Sequence, residues 1–197
     1  MFYLKQRDIQ VNLLVMTYMW GTVSFTYYLI SFQLKYLPGD VYNNSMASSG
    51  SELLAYILGG ILYNKIGIRL AFCFSYLISV VGGVMILFWG TNNPQLMPIF
   101  VTLAKFGISS GFVIVYVSTV DVFPTLFCAT ALGFCNFFAR VATILAPLIA
   151  EKQPPLPMLI FTSMTAVGSV LALFIRPAKK EAHWITNYYP QNLTALF

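Results

Sequence analysis

The chain alternates long apolar segments with short polar turns. A helix that crosses the hydrocarbon core of a membrane needs about 20 predominantly apolar residues. Six segments meet that length, and they cover residues 9–34, 42–64, 70–89, 96–120, 126–149 and 156–175. Helix-breaking residues separate them, as at Pro38-Gly39 and Pro154-Pro155. The pattern predicts an all-α, polytopic membrane domain over residues 1–176, with both of its ends on one side of the membrane.

Composition and charge agree with a membrane protein and orient it. Of the 197 residues, 58% are hydrophobic and 9% are charged. Lys and Arg collect on the cytoplasm-like side of membrane proteins. The side that holds both ends carries Lys5, Arg7, Lys65, Arg69, Arg176, Lys179 and Lys180, against Lys35 and Lys152 on the other. The formal charge of +5 is therefore an orientation signal, and we expect no nucleic-acid partner.

Known catalytic and metal-binding motifs are absent from the sequence. The single histidine, His183, has no second histidine with which to share a metal ion, and the three cysteines lack metal-ligand spacing. We therefore expect no enzymatic activity, no cofactor and no metal site. Membrane lipids are the expected surroundings.

Three charged residues fall inside predicted helices: Glu52, Lys105 and Arg140. Each lies about nine residues, or roughly 13 to 14 Å, from the side opposite the ends, which is close to mid-bilayer. An unpaired charge at that depth costs about 2.5 to 3.5 kcal/mol, so the three should face inward and Glu52 should contact Lys105 or Arg140. Because two bases accompany one acid, the layer is either a site that attracts anions or a static ion-pair layer.

Four stretches resemble helices of the organic ion transporters in the major facilitator superfamily. KFGISSGFVIVYVSTVDVFPT (105–125) is similar to the tenth helix of that family, and TALGFCNFFARVATILAP (130–147) to the eleventh. SELLAYILGGILYNKIGIR (51–69) resembles the eighth helix with its loop, and SFTYYLISF (24–32) resembles the seventh. The resemblance implies the carboxy-terminal six-helix half of an organic cation/anion transporter-like solute carrier.

The charged loop motifs of that family are incomplete in this chain. The resemblance implies that such loop charges hold one side of a transport gate shut in one state. The acid expected in the loop after the eighth helix is replaced by Asn64, and the arginine expected after Phe-Pro-Thr falls at Cys128. The residues at the motif positions are Asn64, Lys65, Gly67, Arg69, Asp121, Pro124 and Cys128. Two missing charges argue against full alternating access.

Transporters of this superfamily contain two six-helix halves, with substrate held between them near the midplane. A lone half would expose polar cavity residues to lipid, and hydrocarbon cannot solvate them. We therefore expect a partner, which is either a second six-helix half or other membrane protein subunits. The polar, aromatic tail at 177–197 lies on the same side as the N-terminus and is expected to rest on another protein.

Two functions fit these features. The first is a non-transporting, major-facilitator-like half-carrier that packs and stabilises a larger membrane complex; such complexes are common in the mitochondrial inner membrane, which is therefore the expected location. The alternative is a half-size transporter that pairs with another half to move small organic ions. In that case anions are the favoured substrates. The resemblance implies this because anion-preferring members of the family resemble this chain at the position of Arg140, whereas cation-preferring members tend to carry an acid there. The predicted substrate-binding residues are Tyr27, Tyr28, Glu52, Tyr56, Lys105, Tyr116 and Arg140.

Overall fold

The computed structural model describes residues 6–90 and 92–176. The expectations for Lys5 and for the tail at 177–197 lie outside this part of the chain. The described part contains six α-helices: α1 (Gln6–Gln33), α2 (Val41–Ile66), α3 (Ile68–Trp89), α4 (Met97–Val122), α5 (Thr125–Ala150) and α6 (Leu156–Leu171). The predicted all-α, six-helix architecture is confirmed.

Local sequence explains how several helices begin and end. The carboxylate of Asp40 accepts a hydrogen bond from the backbone N–H of Tyr42 at 3.1 Å and so caps the start of α2. Gly67, at φ +79°, ends α2 and begins α3, and its left-handed conformation favours glycine. The sixth helix ends at Leu171 rather than at the predicted residue 175, because its last turn tightens into the 3-10 helix Ala172–Phe174.

The helices form two layers. Helices α2, α4, α1 and α5 lie side by side in that order, while α3 packs on α4 and α6 packs on α3 and α1. Large side chains fill the space between the layers, among them Trp20 of α1, Phe72 and Tyr76 of α3, and Phe161 of α6. Helix α2 packs mainly on α4, and helix α5 packs mainly on α1. Helices α2 and α5 therefore lie at the two margins of the four-helix row.

Small residues allow α4 to approach its neighbours closely. A Cβ atom at Gly82 of α3 would overlap the backbone of Ala104, and one at Gly107 of α4 would overlap the backbone of Ser75. On the other side of α4, a Cβ at Gly59 of α2 would lie 3.2 Å from Ser110 Cα. Glycine at these three positions therefore sets the spacing of α2, α3 and α4, as is common between membrane helices.

Five of the six helices are both long and apolar enough to cross a membrane: α1, α3, α4, α5 and α6. The sequence pattern predicted six such segments, and α2 is the exception. Its 26 residues would extend about 39 Å, which is sufficient to cross, but its first half, 43–52, is polar. The residues that α2 buries are Asn44, Ser48, Ser51, Ala55 and Gly59, so α2 meets α4 through small and polar groups.

Candidate functional site

Lys105 of α4 is buried where α1, α2 and α4 meet, with 1% of its side chain exposed. Its ammonium nitrogen lies 3.1 Å from Glu52 Oε1 of α2 and 3.4 Å from the backbone carbonyl oxygen of Tyr27, and it also donates to Ser31 Oγ of α1. Three acceptors therefore surround three N–H donors. The expectation that Glu52 contacts Lys105 or Arg140 is met by Lys105.

Tyr27 of α1 contacts both members of this ion pair. Its hydroxyl donates to Glu52 Oε2 at 3.1 Å, and the centroid of its ring lies 3.5 Å from Lys105 Nζ. The ring face attracts the ammonium electrostatically, and the effect grows where water is excluded. Glu52 retains 23% exposure. The carboxylate is thus the accessible end of the cluster, and the ammonium is its enclosed end.

A row of aromatic rings extends from this cluster along α1 and α4. Tyr27 packs edge-to-face on Tyr28 and on Phe112, each with centroids 5.4 Å apart. Phe112 stacks on Tyr116 at 6.0 Å, and Tyr116 packs on Trp20 at 4.5 Å. Tyr116 is 44% exposed, so this row has an open edge. Tyr56, one helical turn beyond Glu52 on α2, is 49% exposed.

Arg140 of α5 lies apart from this cluster. The face of α5 that is buried against α1 is made of small residues, including Cys135, Ala139 and Ala146, and the Arg140 side chain is exposed. Within residues 6–90 and 92–176 its guanidinium has no hydrogen-bond or ion-pair partner. The prediction that all three intramembrane charges pair is therefore wrong for Arg140, because Lys105 already occupies the one acid and α5 is separated from α2 by α4 and α1.

The predicted gate motif is divided between two places. Asp121, near the end of α4, accepts a hydrogen bond from the hydroxyl of Tyr63 of α2. Arg69 Nε instead donates to the carbonyl of Ile175 at 2.6 Å, where it caps the end of the α6 region. The other motif residues do not contact Asp121: Asn64 and Lys65 are exposed, Gly67 forms the α2–α3 turn, Pro124 precedes α5, and the Cys128 thiol lies 3.9 Å from the Thr119 carbonyl.

Sequence reasoning missed four residues that complete these clusters: Trp20, Ser31, Tyr63 and Phe112. Ser31 follows Tyr27 by one helical turn, and Phe112 precedes Tyr116 by one, so helical spacing alone places each beside a predicted residue. Tyr63 immediately precedes the altered motif, and its hydroxyl was the available donor for Asp121. Among the described residues, no group of three or more His, Cys, Asp and Glu lies together to hold a metal ion.

Comparison with known proteins identifies relatives of the chain. No protein-family model matches it. The chain is 26% identical over 178 residues to organic cation/carnitine transporter 2 of Homo sapiens, which covers 87% of this chain and 31% of the relative. It is 24% identical over 180 residues to organic anion transporter 3 of Mus musculus, at 87% and 34% coverage. A putative transporter of Caenorhabditis elegans is 30% identical over 175 residues, at 88% and 36% coverage.

The chain thus spans about a third of the length of the curated relatives it matches. These relatives are named as transporters rather than enzymes, which favours the half-transporter interpretation and gives no support to a non-transporting subunit or to the mitochondrial inner membrane. The chain is an integral, multi-pass membrane protein. Sequence relationship and architecture together confirm the resemblance: the chain is a homologue of the organic cation/anion transporters of the major facilitator superfamily, and it corresponds to a six-helix half.

Proposed function

We propose that the chain is one half of a solute carrier that moves small organic ions when a second six-helix half covers its four-helix row. The observation that carries this proposal is the cluster of Tyr27, Glu52 and Lys105, in which Glu52 is accessible and from which the exposed Tyr56 and Tyr116 extend. Residue counts place Glu52 and Lys105 near mid-bilayer. Polar groups at that depth are stable only against protein or a water-filled cavity. A second half would provide protein contacts for these polar groups, and it would enclose a water-filled cavity with room for a substrate.

The margins of the row suggest where the second half binds. Helices α2 and α5 each pack mainly on one neighbour, and both expose large apolar side chains, including Leu53 and Ile57 of α2 and Phe137 and Ile144 of α5. Helices α3 and α6 already cover the opposite side of α4 and α1. The second half therefore contacts α2 and α5 and leaves α1 and α4 lining the cavity between them.

The favoured substrates are small organic anions with an apolar or aromatic body. Glu52 neutralises Lys105, so the exposed Arg140 supplies an uncompensated positive charge near the middle of the row. The rings of Tyr28, Tyr27, Phe112 and Tyr116 offer faces for an apolar body. Similarity to both an organic cation/carnitine transporter and an organic anion transporter agrees with organic ions as a class, and the preference for anions depends on Arg140.

Uptake measurements test this function. The assembly that contains the chain would be extracted in lipid discs, its chains counted by native mass spectrometry, and the same assembly reconstituted into liposomes. We expect saturable uptake of a radiolabelled aromatic carboxylate, exceeding that of tetraethylammonium. Arg140→Gln should abolish carboxylate uptake, whereas Lys152→Gln, which removes an exposed cation outside the helices, should not. Uptake equal to that of protein-free liposomes, from an assembly shown to contain two halves, would rule out the proposal.

A further inference from the structure

Helix α2 buries less apolar surface against the rest of the molecule than the other helices do, including α5, which buries Cys135 and four alanines. Among its residues, the only fully buried hydrophobic one is Ala55, whereas α1, α3, α4 and α6 each bury several large side chains. Its main neighbour is α4, which it meets through small and polar groups. Little apolar area therefore holds α2 in place, and its specific polar contacts with α4 carry more weight than they would elsewhere.

Two side-chain contacts join α2 to α4, one on each side of a close approach. The close approach is at Gly59, where an added Cβ would lie only 3.2 Å from Ser110 Cα. Glu52 contacts Lys105 seven residues before Gly59, and Tyr63 contacts Asp121 four residues after it. Along the helix these contacts lie about 10 Å and about 6 Å from the close approach. When the contact after Gly59 opens, the last turn of α2 can bend away from α4, because the adjacent Gly59 and Gly60 form a point at which a helix kinks.

The two outer contacts differ in strength. Lys105 is enclosed by Glu52, the Tyr27 carbonyl and ring, and Ser31, so opening that contact would leave a buried cation without its acid. Tyr63 and Asp121 are both half-buried and are joined by one hydrogen bond from a neutral hydroxyl to a carboxylate. Both groups can turn to water when they separate, so this contact opens at far lower cost.

We propose that the Tyr63–Asp121 hydrogen bond is a latch: it holds the terminal-side end of α2 against α4, and its opening allows the part of α2 after Gly59 to bend away from α4 while the Glu52–Lys105 pair stays closed. Tyr63 is thus a positioning residue, which acts on the translocation path through α2 and does not touch substrate. This inference rests on the proposed transport function for its role, although the motion itself is a property of the chain. Arg69, which donates to Ile175, leaves Asp121 to Tyr63.

Distance measurements test the latch directly. Spin labels would replace the exposed side chains of Lys65, at the end of α2, and Phe127, at the start of α5, in the assembled protein with Cys73, Cys128 and Cys135 replaced by Ser. Tyr63→Phe removes the hydroxyl and keeps the ring. We expect a second, longer distance population whose ratio to the short one rises by at least about tenfold, as the loss of one hydrogen bond to a charged group implies.

Matched variants separate the latch from general destabilisation. Asp121→Asn keeps an acceptor oxygen for the Tyr63 hydroxyl and should retain most of the short population, whereas Asp121→Leu should behave like Tyr63→Phe. Tyr42→Phe removes a hydroxyl from the same helix at a position that is 81% exposed, and it should change nothing. An unchanged distance distribution in both Tyr63→Phe and Asp121→Leu would overturn the latch.

Uptake by the same variants links the latch to transport. For a positioning residue we expect Tyr63→Phe to change the maximal rate while the KM for the aromatic carboxylate stays within about twofold, because its binding site is intact. A raised KM with an unchanged maximal rate would contradict the role of a latch. If the wild-type assembly shows no uptake, the proposed function fails, yet the distance distributions still decide whether Tyr63 and Asp121 hold α2.

Discussion

Two cations, Lys105 and Arg140, lie near the middle of their helices, and their surroundings are opposite. Lys105 of α4 is 1% exposed and has contacts on every side: an acid, a carbonyl, a hydroxyl and an aromatic ring. Arg140 of α5 is exposed, and the residues at 6–90 and 92–176 offer its guanidinium no polar partner. The two residues were placed at equal depth by the sequence, so depth alone does not decide what an intramembrane charge does.

The difference between Lys105 and Arg140 indicates which of the two cations a ligand could reach. A buried cation whose donors are all satisfied joins helices, because any ligand would have to displace Glu52 or Ser31 to reach it. An exposed cation at mid-bilayer is stable only if something outside this chain solvates it, whether a second half, water or an anion. On this basis Lys105 is a structural charge that orients Glu52, and under the proposed function Arg140 is the charge available to a substrate.

The largest expected effect is that of removing the acid from the buried pair. Glu52→Ala leaves the Lys105 ammonium without its counter-charge, which for a buried pair costs about 3–5 kcal/mol in free energy of unfolding. Unfolding in mixed detergent micelles, followed by loss of helical circular dichroism, measures it. Glu151→Ala, at an exposed acid just after α5, should leave stability unchanged.

A double substitution sharpens this result. If Glu52 and Lys105 stabilise the fold only as a pair, Glu52→Leu with Lys105→Met should recover most of the loss seen in Glu52→Ala, because no buried charge remains. Losses that simply add would show that the two residues act independently, and Lys105 would then resemble Arg140 more closely than the structure indicates.

The second effect concerns the spacing that brings Glu52 within reach of Lys105. Gly59→Ala places a methyl group 3.2 Å from Ser110 Cα, which is backbone and cannot turn away. We expect a loss of about 1–3 kcal/mol from overpacking, together with weaker contact between α2 and α4. The adjacent Gly60 has no atom within 4 Å of the same position. Gly60→Ala should therefore be neutral or stabilise α2 by about 0.5–1 kcal/mol.

The contrast between Gly59 and Gly60 can be measured in the same unfolding assay. Equal effects of the two alanines would mean that α2 and α4 do not approach closely at Gly59. In that case, the distance from Glu52 to Lys105 would have to be maintained by other contacts of α2.

A third, smaller effect separates the two contacts of Tyr27. Tyr27→Phe removes the hydrogen bond to Glu52 but keeps the ring that faces Lys105 Nζ, and should cost about 0.5–1.5 kcal/mol. Tyr27→Leu also removes the ring, and should cost a further 0.5–2 kcal/mol, approximately, through the lost cation–π contact. If the two variants are equally stable, the ring contributes nothing and the buried ammonium depends on Glu52 and the oxygen acceptors alone.

Sequence reasoning recovered the six helices because they follow from residue counts. The runs of apolar residues and the Pro and Gly turns set the helix ends. The depth of Glu52 and Lys105 in the bilayer, which follows from 1.5 Å per residue, stays a prediction. It also placed Tyr27, Glu52 and Lys105 in one group, and these three residues of α1, α2 and α4 do lie together, while their role in binding stays a prediction.

Rotation of the helices about their own axes was harder to predict. In α5 the polar residues Asn136, Arg140 and Thr143 recur at helical spacing and mark one face, but this pattern does not show whether that face meets a neighbouring helix of the chain. In the structure the small residues Cys135, Ala139 and Ala146 face α1, and Arg140 faces away. The contact of Tyr63 with Asp121 joins residues that are 58 positions apart. Such a contact depends on how two helices cross, which no local pattern records.

The smallest expected effect on stability is that of Arg140→Gln, and it tests the comparison most directly. Since the guanidinium is exposed and unpaired among the described residues, its loss should change the free energy of unfolding of this chain by less than about 0.5 kcal/mol. The same variant should lose carboxylate uptake in the reconstituted assembly, and Arg140→Lys should restore part of it because the charge returns. The opposite control is the double variant Glu52→Leu with Lys105→Met, because it removes both charges of the buried pair and keeps Arg140. If Arg140→Gln instead destabilises the chain as much as Glu52→Ala does, Arg140 is a structural charge like Lys105, and the preference for anions loses its support.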